Sequence, residues 1–216
     1  MLRTAPQLSR LYLDAVRAAD ASGAYRIGSS ALTQGMTLPE LCQRVITPAL
    51  HEIGRLWREG ALTVADEHLA TALTHRVLAA LRPAVRVDAT PDEQRAAAKK
   101  RVLLAAIEGE QHALGLRMAA DVLEDAGFHP LYLGADVPTD ALLRAVAVLS
   151  PDLVALSATM PELGSRLEEV AGAVCKAHPR VGLIIGGQAA TAQGMEVALV
   201  QNLEQLPGRV AGSPQV

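Results

Sequence analysis

The sequence has few aromatic residues, few cysteines and no excess of one charge. Only 2% of its 216 residues are aromatic although 50% are hydrophobic, so Ala, Leu and Val must build the core. Cys42 and Cys175 are too few and too far apart for a disulfide framework, and they suit the reducing cytosol. A net charge of −3 provides no basic field, which excludes a general attraction to nucleic acid.

A continuous apolar run at the N-terminus is also lacking. The segment 1–23 is amphipathic and carries charges throughout. A signal peptide and a membrane-spanning helix both need an uninterrupted apolar stretch. We therefore predict a cytoplasmic protein that has no membrane partner.

Residues 1–82 have the apolar spacing of helices only. Apolar side chains recur every three or four positions, which is the period of a helix that buries one face. Thr63 and Asp66 have the spacing of a capping box, and Pro83 is expected to close the helix that they begin. The pattern predicts a four-helix bundle whose helices lie in segments 6–21, 24–34, 39–57 and 63–81.

The chain changes character near residue 90. Residues 83–100 are polar and alanine-rich with two prolines, and we predict a linker there. Over residues 101–216, short apolar runs alternate with amphipathic stretches, which predicts a parallel sheet covered by helices on both faces. The four runs are RVLLAAIE (101–108), HPLYLGAD (129–136), DLVALSAT (152–159) and RVGLIIGG (180–187).

The segment IEGEQHALG, residues 107–115, follows the first apolar run and holds a lone histidine, His112. Ligands of such sheets bind at the carboxyl ends of the strands. The segment lacks the glycine spacing of a dinucleotide site, the Gly-Lys-Ser/Thr of a phosphate loop and the further Cys or His ligands of a zinc site. A turn of this kind often carries glycine and a polar residue for helix capping alone. Alternatively, one histidine beside a carboxylate suits a metal that a macrocycle already holds.

Three motifs in this half resemble those of cobalamin-binding domains. Glu110-x-His112-x-x-Gly115 resembles their D/E-x-H-x-x-G motif, and SAT (157–159) and GG (186–187) resemble their later motifs. The resemblance implies a flavodoxin-like (Rossmann-like) sheet and a cobalamin whose benzimidazole is displaced. His112 would then be the lower cobalt ligand, and Glu110 its hydrogen-bonding partner. The remaining implied contacts, mostly to the nucleotide tail of the cofactor, are Gly115, Ser157, Thr159, Gly186 and Gly187.

A fourth pattern lies in the helical half. Trp57, nine intervening residues and then Glu67-His68 resemble the cap of the CarH family of adenosylcobalamin photoreceptors. In that family the tryptophan packs over the 5′-deoxyadenosyl group, and the Glu and His contact it. The resemblance covers roughly residues 8–190 and implies that Trp57, Glu67 and His68 contact bound adenosylcobalamin. An indole against adenine and a carboxylate toward ribose hydroxyls are chemically suited to this ligand.

The chain departs from that family at three places. It begins at the cap, without the DNA-binding winged helix, so we expect a standalone protein that does not bind nucleic acid directly. Arg58 stands where the best-known members have a histidine that captures cobalt, and arginine is no metal ligand. The tail 201–216 does not continue with a recognisable fifth strand, so the last element of the fold is expected to be altered or missing.

These observations favour a non-enzymatic light sensor. Light would cleave the Co–C bond of bound adenosylcobalamin, the cap would shift, and an interface within a homo-oligomer or with a signalling partner, as in transcription regulation, would change. One alternative is a corrinoid carrier of a methyltransferase system, which uses the same histidine loop. Another is a cobalamin storage or interaction module.

Overall fold

The computed structural model describes residues 3–85, 100–191 and 198–212. The chain divides into two compact units, Met1–Ala89 and Thr90–Val216. Most of the predicted linker, residues 86–99, lies outside the described residues. Within the described part of the chain, no helix is both long and apolar enough to cross a membrane.

The first unit is helical, as its periodicity predicts. Its elements are α1 (Ala5–Arg17), α2 (Ala21–Thr33), α3 (Leu38–Leu41), a π-helical turn (Cys42–Ile46), α4 (Thr47–Arg58) and α5 (Val64–Val85). The predicted third helix is therefore the continuous series of α3, the π-helical turn and α4. The hydrogen-bonding pattern changes just before Pro48, which has no N–H to donate.

The start of α5 agrees with the prediction and its end does not. The Thr63 N–H donates to Asp66 Oδ2 at 2.8 Å, and the Asp66 N–H donates to Thr63 Oγ1 at 3.3 Å, which is the predicted capping box. The prediction that Pro83 closes the helix is wrong, because α5 continues to Val85. A proline so near the end removes one N–H from the final turn, and the helix tolerates that loss.

Aliphatic side chains form most of the core of the first unit, as the scarcity of aromatics requires. Tyr12 is fully buried among them. Its hydroxyl donates to Thr74 Oγ1 at 3.2 Å, and the Thr74 hydroxyl donates to the Ala70 carbonyl at 2.9 Å. Burial raises the pKa of Tyr12 to about 12, so this phenol stays neutral and its polar end is satisfied inside the unit.

The second unit is a five-stranded parallel sheet in the order β2-β1-β3-β4-β5. The strands are β1 (Arg101–Ile107), β2 (His129–Val137), β3 (Leu153–Ser157), β4 (Gly182–Gly186) and β5 (Ala198–Val200). The first four strands are connected by α6 (Leu114–Asp125), by α7 (Thr139–Leu149) and by a 3₁₀ turn (Pro161–Leu163) with α8 (Gly164–Ala177). A further helix, α9 (Leu206–Gly212), follows β5. The predicted flavodoxin-like architecture is confirmed.

The last strand of the sheet is not missing, although the described part of the tail 201–216 contains no strand, as expected. β5 pairs with β4 through Ile184 and Ala198, and α9 follows it and buries Leu206 and Val210. β5 has only three residues and lies before the tail in which we looked for it. Three residues are too few to show an alternation or a long apolar run, so periodicity does not reveal this strand.

Alternation along β1 explains why its sequence is continuously apolar. Leu103, Ala105 and Ile107 pack on the face covered by α7 and α8, whereas Leu104 and Ala106 pack on the face covered by α6 and α9. β2 and β3, which follow β1 in the chain, lie on opposite sides of β1 in the sheet. The crevice above the carboxyl ends of β1 and β3 is thus the switch point at which folds of this kind bind ligands.

Candidate functional site

Two loops border the switch point, residues 108–113 after β1 and residues 158–160 after β3. Glu110 joins them, although its side chain is fully buried. Its Oε1 accepts hydrogen bonds from both the backbone N–H and the ring Nδ1 of His112, each at 2.7 Å. Its Oε2 accepts from the N–H groups of Thr159 at 2.5 Å and Met160 at 3.1 Å. One buried carboxylate therefore holds both the histidine and the neighbouring loop.

The charge of Glu110 determines which ring nitrogen of His112 carries a proton. Burial alone would raise the pKa of Glu110, but the hydrogen bonds from Thr159, His112 and Met160 together lower it below its usual value. An ionised carboxylate only accepts hydrogen bonds, so Nδ1 of His112 is the protonated nitrogen. In the neutral tautomer that this hydrogen bond selects, the lone pair is on Nε2, and the side chain that carries it is 46% exposed. A neutral imidazole held in one orientation is what a metal ligand requires.

A ligand-held metal suits this surface better than a bare ion. In the described ranges, no group of three or more His, Cys, Asp or Glu side chains could hold a metal by itself. Gly115 is exposed in the first turn of α6, and a Cβ added there would meet no atom within 4 Å. An exposed imidazole that belongs to no such group suits a metal whose other ligands come with it, and no atom of the described residues fills the space beside Gly115.

Ser157 and Gly186 lie in register at the carboxyl edge of the sheet. Ser157 pairs with Ala106 of β1 on one side and with Gly186 of β4 on the other. Ser157 is nearly buried, and the Thr159 backbone N–H is already bonded to Glu110. The predicted tail-contacting residues therefore share the edge that His112 occupies.

The two consecutive glycines have a structural reason that needs no ligand. Gly187 has a φ of +94°, and a Cβ there would lie 2.1 Å from the Ala158 carbonyl oxygen. A Cβ on Gly186 would lie 2.9 Å from the Val200 carbonyl oxygen. Both distances are far below van der Waals contact, so backbone packing at the end of β4 requires glycine at both positions. The room that these glycines are predicted to leave for a nucleotide tail stays a prediction.

The three remaining predicted residues belong to the first unit. Trp57 lies in the last turn of α4 and is 38% exposed. Glu67, near the start of α5, accepts from the Thr71 hydroxyl at 2.9 Å and from His68 Nδ1 at 2.7 Å. Arg58 is the last residue of α4. The corner between α4 and α5 thus presents an indole, an acid and an imidazole that are close in sequence.

Sequence reasoning missed the backbone donors to Glu110. Thr159 is predicted only as a contact of the nucleotide tail, whereas in the structure its N–H bonds to Glu110, and Met160 is not predicted at all. It also missed Asp136, whose carboxylate accepts from the Gly109 N–H at 2.7 Å. Backbone hydrogen bonds between separate loops leave no pattern of residue types, so only the fold reveals them.

Replacing the buried carboxylate should weaken the ligand-free fold in a pH-dependent way. In Glu110→Gln the amide nitrogen faces N–H donors, and we expect a loss of about 2–4 kcal/mol at pH 7 from unsatisfied buried groups. Because folding lowers the pKa of Glu110, the stability that its charge contributes is present above the unfolded pKa of about 4.3 and is lost as pH falls through the folded pKa. The difference in the free energy of unfolding between Glu110→Gln and wild type should therefore become smaller at pH 4 and below. Urea unfolding followed by circular dichroism measures this.

Glu169→Gln is the matched control, because that carboxylate is exposed and pairs with Arg166 at 3.1 Å. We expect it to change the free energy of unfolding by less than about 0.5 kcal/mol at either pH. Equal losses in the two variants, or a Glu110→Gln loss that does not vary with pH, would contradict the role given to Glu110.

The fold is shared with a corrinoid protein of known structure. The monomethylamine corrinoid protein of Methanosarcina barkeri matches 95% of this chain and 97% of its own, with a TM-score of 0.70 and 17% sequence identity. An identity this low supports a common architecture only.

Two kinds of curated relative are similar in sequence. The HTH-type transcriptional repressor CarH of Myxococcus xanthus is 33% identical over 147 residues, which cover 68% of this chain and 46% of the repressor. Trimethylamine corrinoid protein 1 of Methanosarcina acetivorans is 27% identical over 150 residues, which cover 68% of this chain and 66% of that protein. This chain thus spans about half the length of the first relative and about two thirds of the second.

Family models match both units. A model described as a B12 binding domain matches residues 100–201, and a second model of the same description matches residues 8–82. Together they cover the helical unit and the sheet that carries His112. Both units of the chain therefore match models of B12 binding domains.

Proposed function

We propose that this cobalamin-binding protein is a light sensor whose cofactor is adenosylcobalamin. The observation that carries the cobalamin part of the proposal is the exposed ring of His112, whose Nδ1 is fixed by the buried Glu110 carboxylate at 2.7 Å. Nε2 would then ligate the cobalt, and the hydrogen bond from Nδ1 to Glu110 would hold the ring in the orientation that ligation requires. The open surface at Gly115 accommodates the macrocycle, and the edge formed by Ser157, Thr159 and the two glycines receives the nucleotide tail.

The adenosyl part of the proposal rests on the corner between α4 and α5. Trp57, Val64 and Leu69 expose 38%, 53% and 49% of their surfaces there. Bound adenosylcobalamin supplies a cobalt–carbon bond that light cleaves, and its adenosyl group offers a flat, polar-edged surface. Trp57 stacks on that group, and Glu67 and His68 bind its polar edge. Loss of the group removes these contacts, which gives the protein two states that light can interconvert.

The signal is expressed as a change in association. Exposed apolar surface at the corner between α4 and α5 favours contact with another protein surface. We propose a cytoplasmic homo-oligomer, or a complex with a signalling partner, that forms in the dark and loosens in the light. The similarity to a transcriptional repressor makes control of transcription the proposed setting, and the protein itself catalyses no reaction in this proposal.

A corrinoid carrier for a methyltransferase is the second candidate. The similarity to a trimethylamine corrinoid protein over two thirds of both chains favours it. A carrier would use Glu110 and His112 in the same way, because the cobalt of methylcobalamin also takes a lower ligand. A methyl group, however, offers nothing on which an indole can stack. The two candidates therefore differ in what they predict for Trp57 and for light.

Trp57→Ala should selectively weaken binding of the adenosyl cofactor. A base stacked on an aromatic side chain contributes roughly 1–3 kcal/mol, which corresponds to a loss of about 5- to 150-fold in affinity. Affinity for methylcobalamin should change by less than about 3-fold, because that ligand makes no such contact. Titrations of wild type and variant with both cobalamins in the dark measure the difference.

Tyr25→Ala is the matched control, since Tyr25 lies on α2 of the same unit and is 36% exposed. It should leave both affinities unchanged. Tighter binding of methylcobalamin than adenosylcobalamin by wild type, together with equal binding of the adenosyl form by Trp57→Ala, would favour the carrier.

Illumination should reduce the mass of the complex that the protein forms with adenosylcobalamin. We expect light scattering coupled to size-exclusion chromatography to give a larger mass for the dark adenosyl form than for the ligand-free or illuminated protein. Trp57→Ala should reduce this difference, because the adenosyl contact is then lost before illumination. The same mass in the ligand-free, dark and illuminated samples would refute the sensor and leave the carrier.

A further inference from the structure

The carboxyl end of β2 is irregular where it passes the histidine loop. β1 and β2 pair regularly from Arg101 and His129 to Leu104 and Tyr132. The pairing then shifts twice before Ile107 meets Val137. Irregularities of this kind redirect backbone and side-chain groups, and they are common next to functional sites.

Asp136 lies in the second of these irregular stretches. Its φ is +53°, a left-handed conformation that few residues other than glycine adopt and that Asp and Asn tolerate best. In this conformation its N–H donates to the Glu110 carbonyl oxygen at 2.9 Å. Its Oδ1 accepts from the Gly109 N–H at 2.7 Å. One strained residue of the edge strand therefore holds two consecutive residues of the loop that leads to His112.

Glu110 is consequently fixed from two directions. Thr159 and Met160, which follow β3, hold its carboxylate, and Asp136, at the end of β2, holds its backbone. These two strands flank β1 in the sheet. The position of the carboxylate decides where the His112 ring lies, so any displacement of the Glu110 backbone is transmitted to that ring.

We propose that Asp136 is a positioning residue for His112. It acts through Gly109 and Glu110 and keeps the imidazole where it can ligate cobalt. The inference rests on the proposed role of His112. The positive φ of Asp136 places its carboxylate on the Gly109 N–H, and this contact restrains the loop 108–113 before any ligand binds.

Two substitutions distinguish the effect of the Asp136 carboxylate from the effect of its positive φ. Asp136→Gly adopts the positive φ without strain but lacks the acceptor for Gly109. Asp136→Asn keeps both an acceptor oxygen and tolerance of the left-handed region. Asp140→Ala is the control for loss of a nearby negative charge, because Asp140 is exposed on α7 and pairs with Arg144 at 2.8 Å. His112→Ala reports separately on the proposed ligand.

The variants are compared by adenosylcobalamin titration and by the electron paramagnetic resonance spectrum of the bound cobalt(II) form with histidine labelled with nitrogen-15, which distinguishes histidine-ligated from benzimidazole-ligated cobalt. Loss of a residue that orients a metal ligand commonly costs 10- to 100-fold in affinity, and we expect about 10-fold for Asp136→Gly, with a smaller histidine-ligated fraction. Asp136→Asn should restore both the affinity and the histidine-ligated fraction, and Asp140→Ala should behave as wild type.

An Asp136→Gly variant with wild-type affinity and a wild-type spectrum overturns the proposal. So does a loss of affinity that Asn does not restore while histidine ligation is intact, because Asp136 would then contact the ligand itself.

Amide hydrogen exchange at Gly109 provides a second test without ligand. The Gly109 N–H should be protected in wild type and in Asp136→Asn, and it should exchange faster in Asp136→Gly. Fast exchange in folded wild type would overturn the proposal even if the Gly variant fails to fold. Unchanged binding and spectrum in His112→Ala would instead refute the proposed function, whatever the Asp136 variants do.

Discussion

The geometry of the site depends on one buried carboxylate at the switch point of the sheet. Glu110 has no solvent around its side chain, and it remains ionised because N–H groups of His112, Thr159 and Met160 surround it. Removing any of these donors would leave a buried charge without its hydrogen bond, which costs free energy. This penalty keeps the three residues in contact with the carboxylate. The exposed nitrogen of His112 is oriented as a consequence. Protein groups alone achieve this orientation, which makes the imidazole available before a ligand arrives.

Residue patterns predicted most of the fold because each pattern has one physical cause. Residues 102–107 are continuously apolar because β1 is covered on both faces, and the period of the first unit follows from helices that bury one face. The motif around His112 predicted the bond from Glu110 to its ring, and the structure has that bond at 2.7 Å. In both cases the relevant contacts lie close in sequence or follow from burial alone.

Contacts between distant backbone groups could not be predicted in this way. β5 has too few residues to show a period, and the bonds from Thr159 and Met160 to Glu110 use main-chain N–H groups that every residue except proline has. The glycines 186–187 show that one sequence pattern can have two causes. They match a ligand-binding motif, yet the carbonyls of Ala158 and Val200 already exclude a side chain at both. A motif can therefore be required by packing and by a ligand together, and sequence alone does not separate the two.

The identity of the lower cobalt ligand is the point on which the proposed function depends. Electron paramagnetic resonance of the bound cobalt(II) form, with histidine labelled with nitrogen-15, examines that ligand directly. If His112 Nε2 binds the metal, the nitrogen splitting of the cobalt signal will change with the isotope, and His112→Ala will abolish the change. A splitting that is the same with labelled and unlabelled histidine would mean that the cofactor's own benzimidazole occupies the position, and it would contradict ligation by His112.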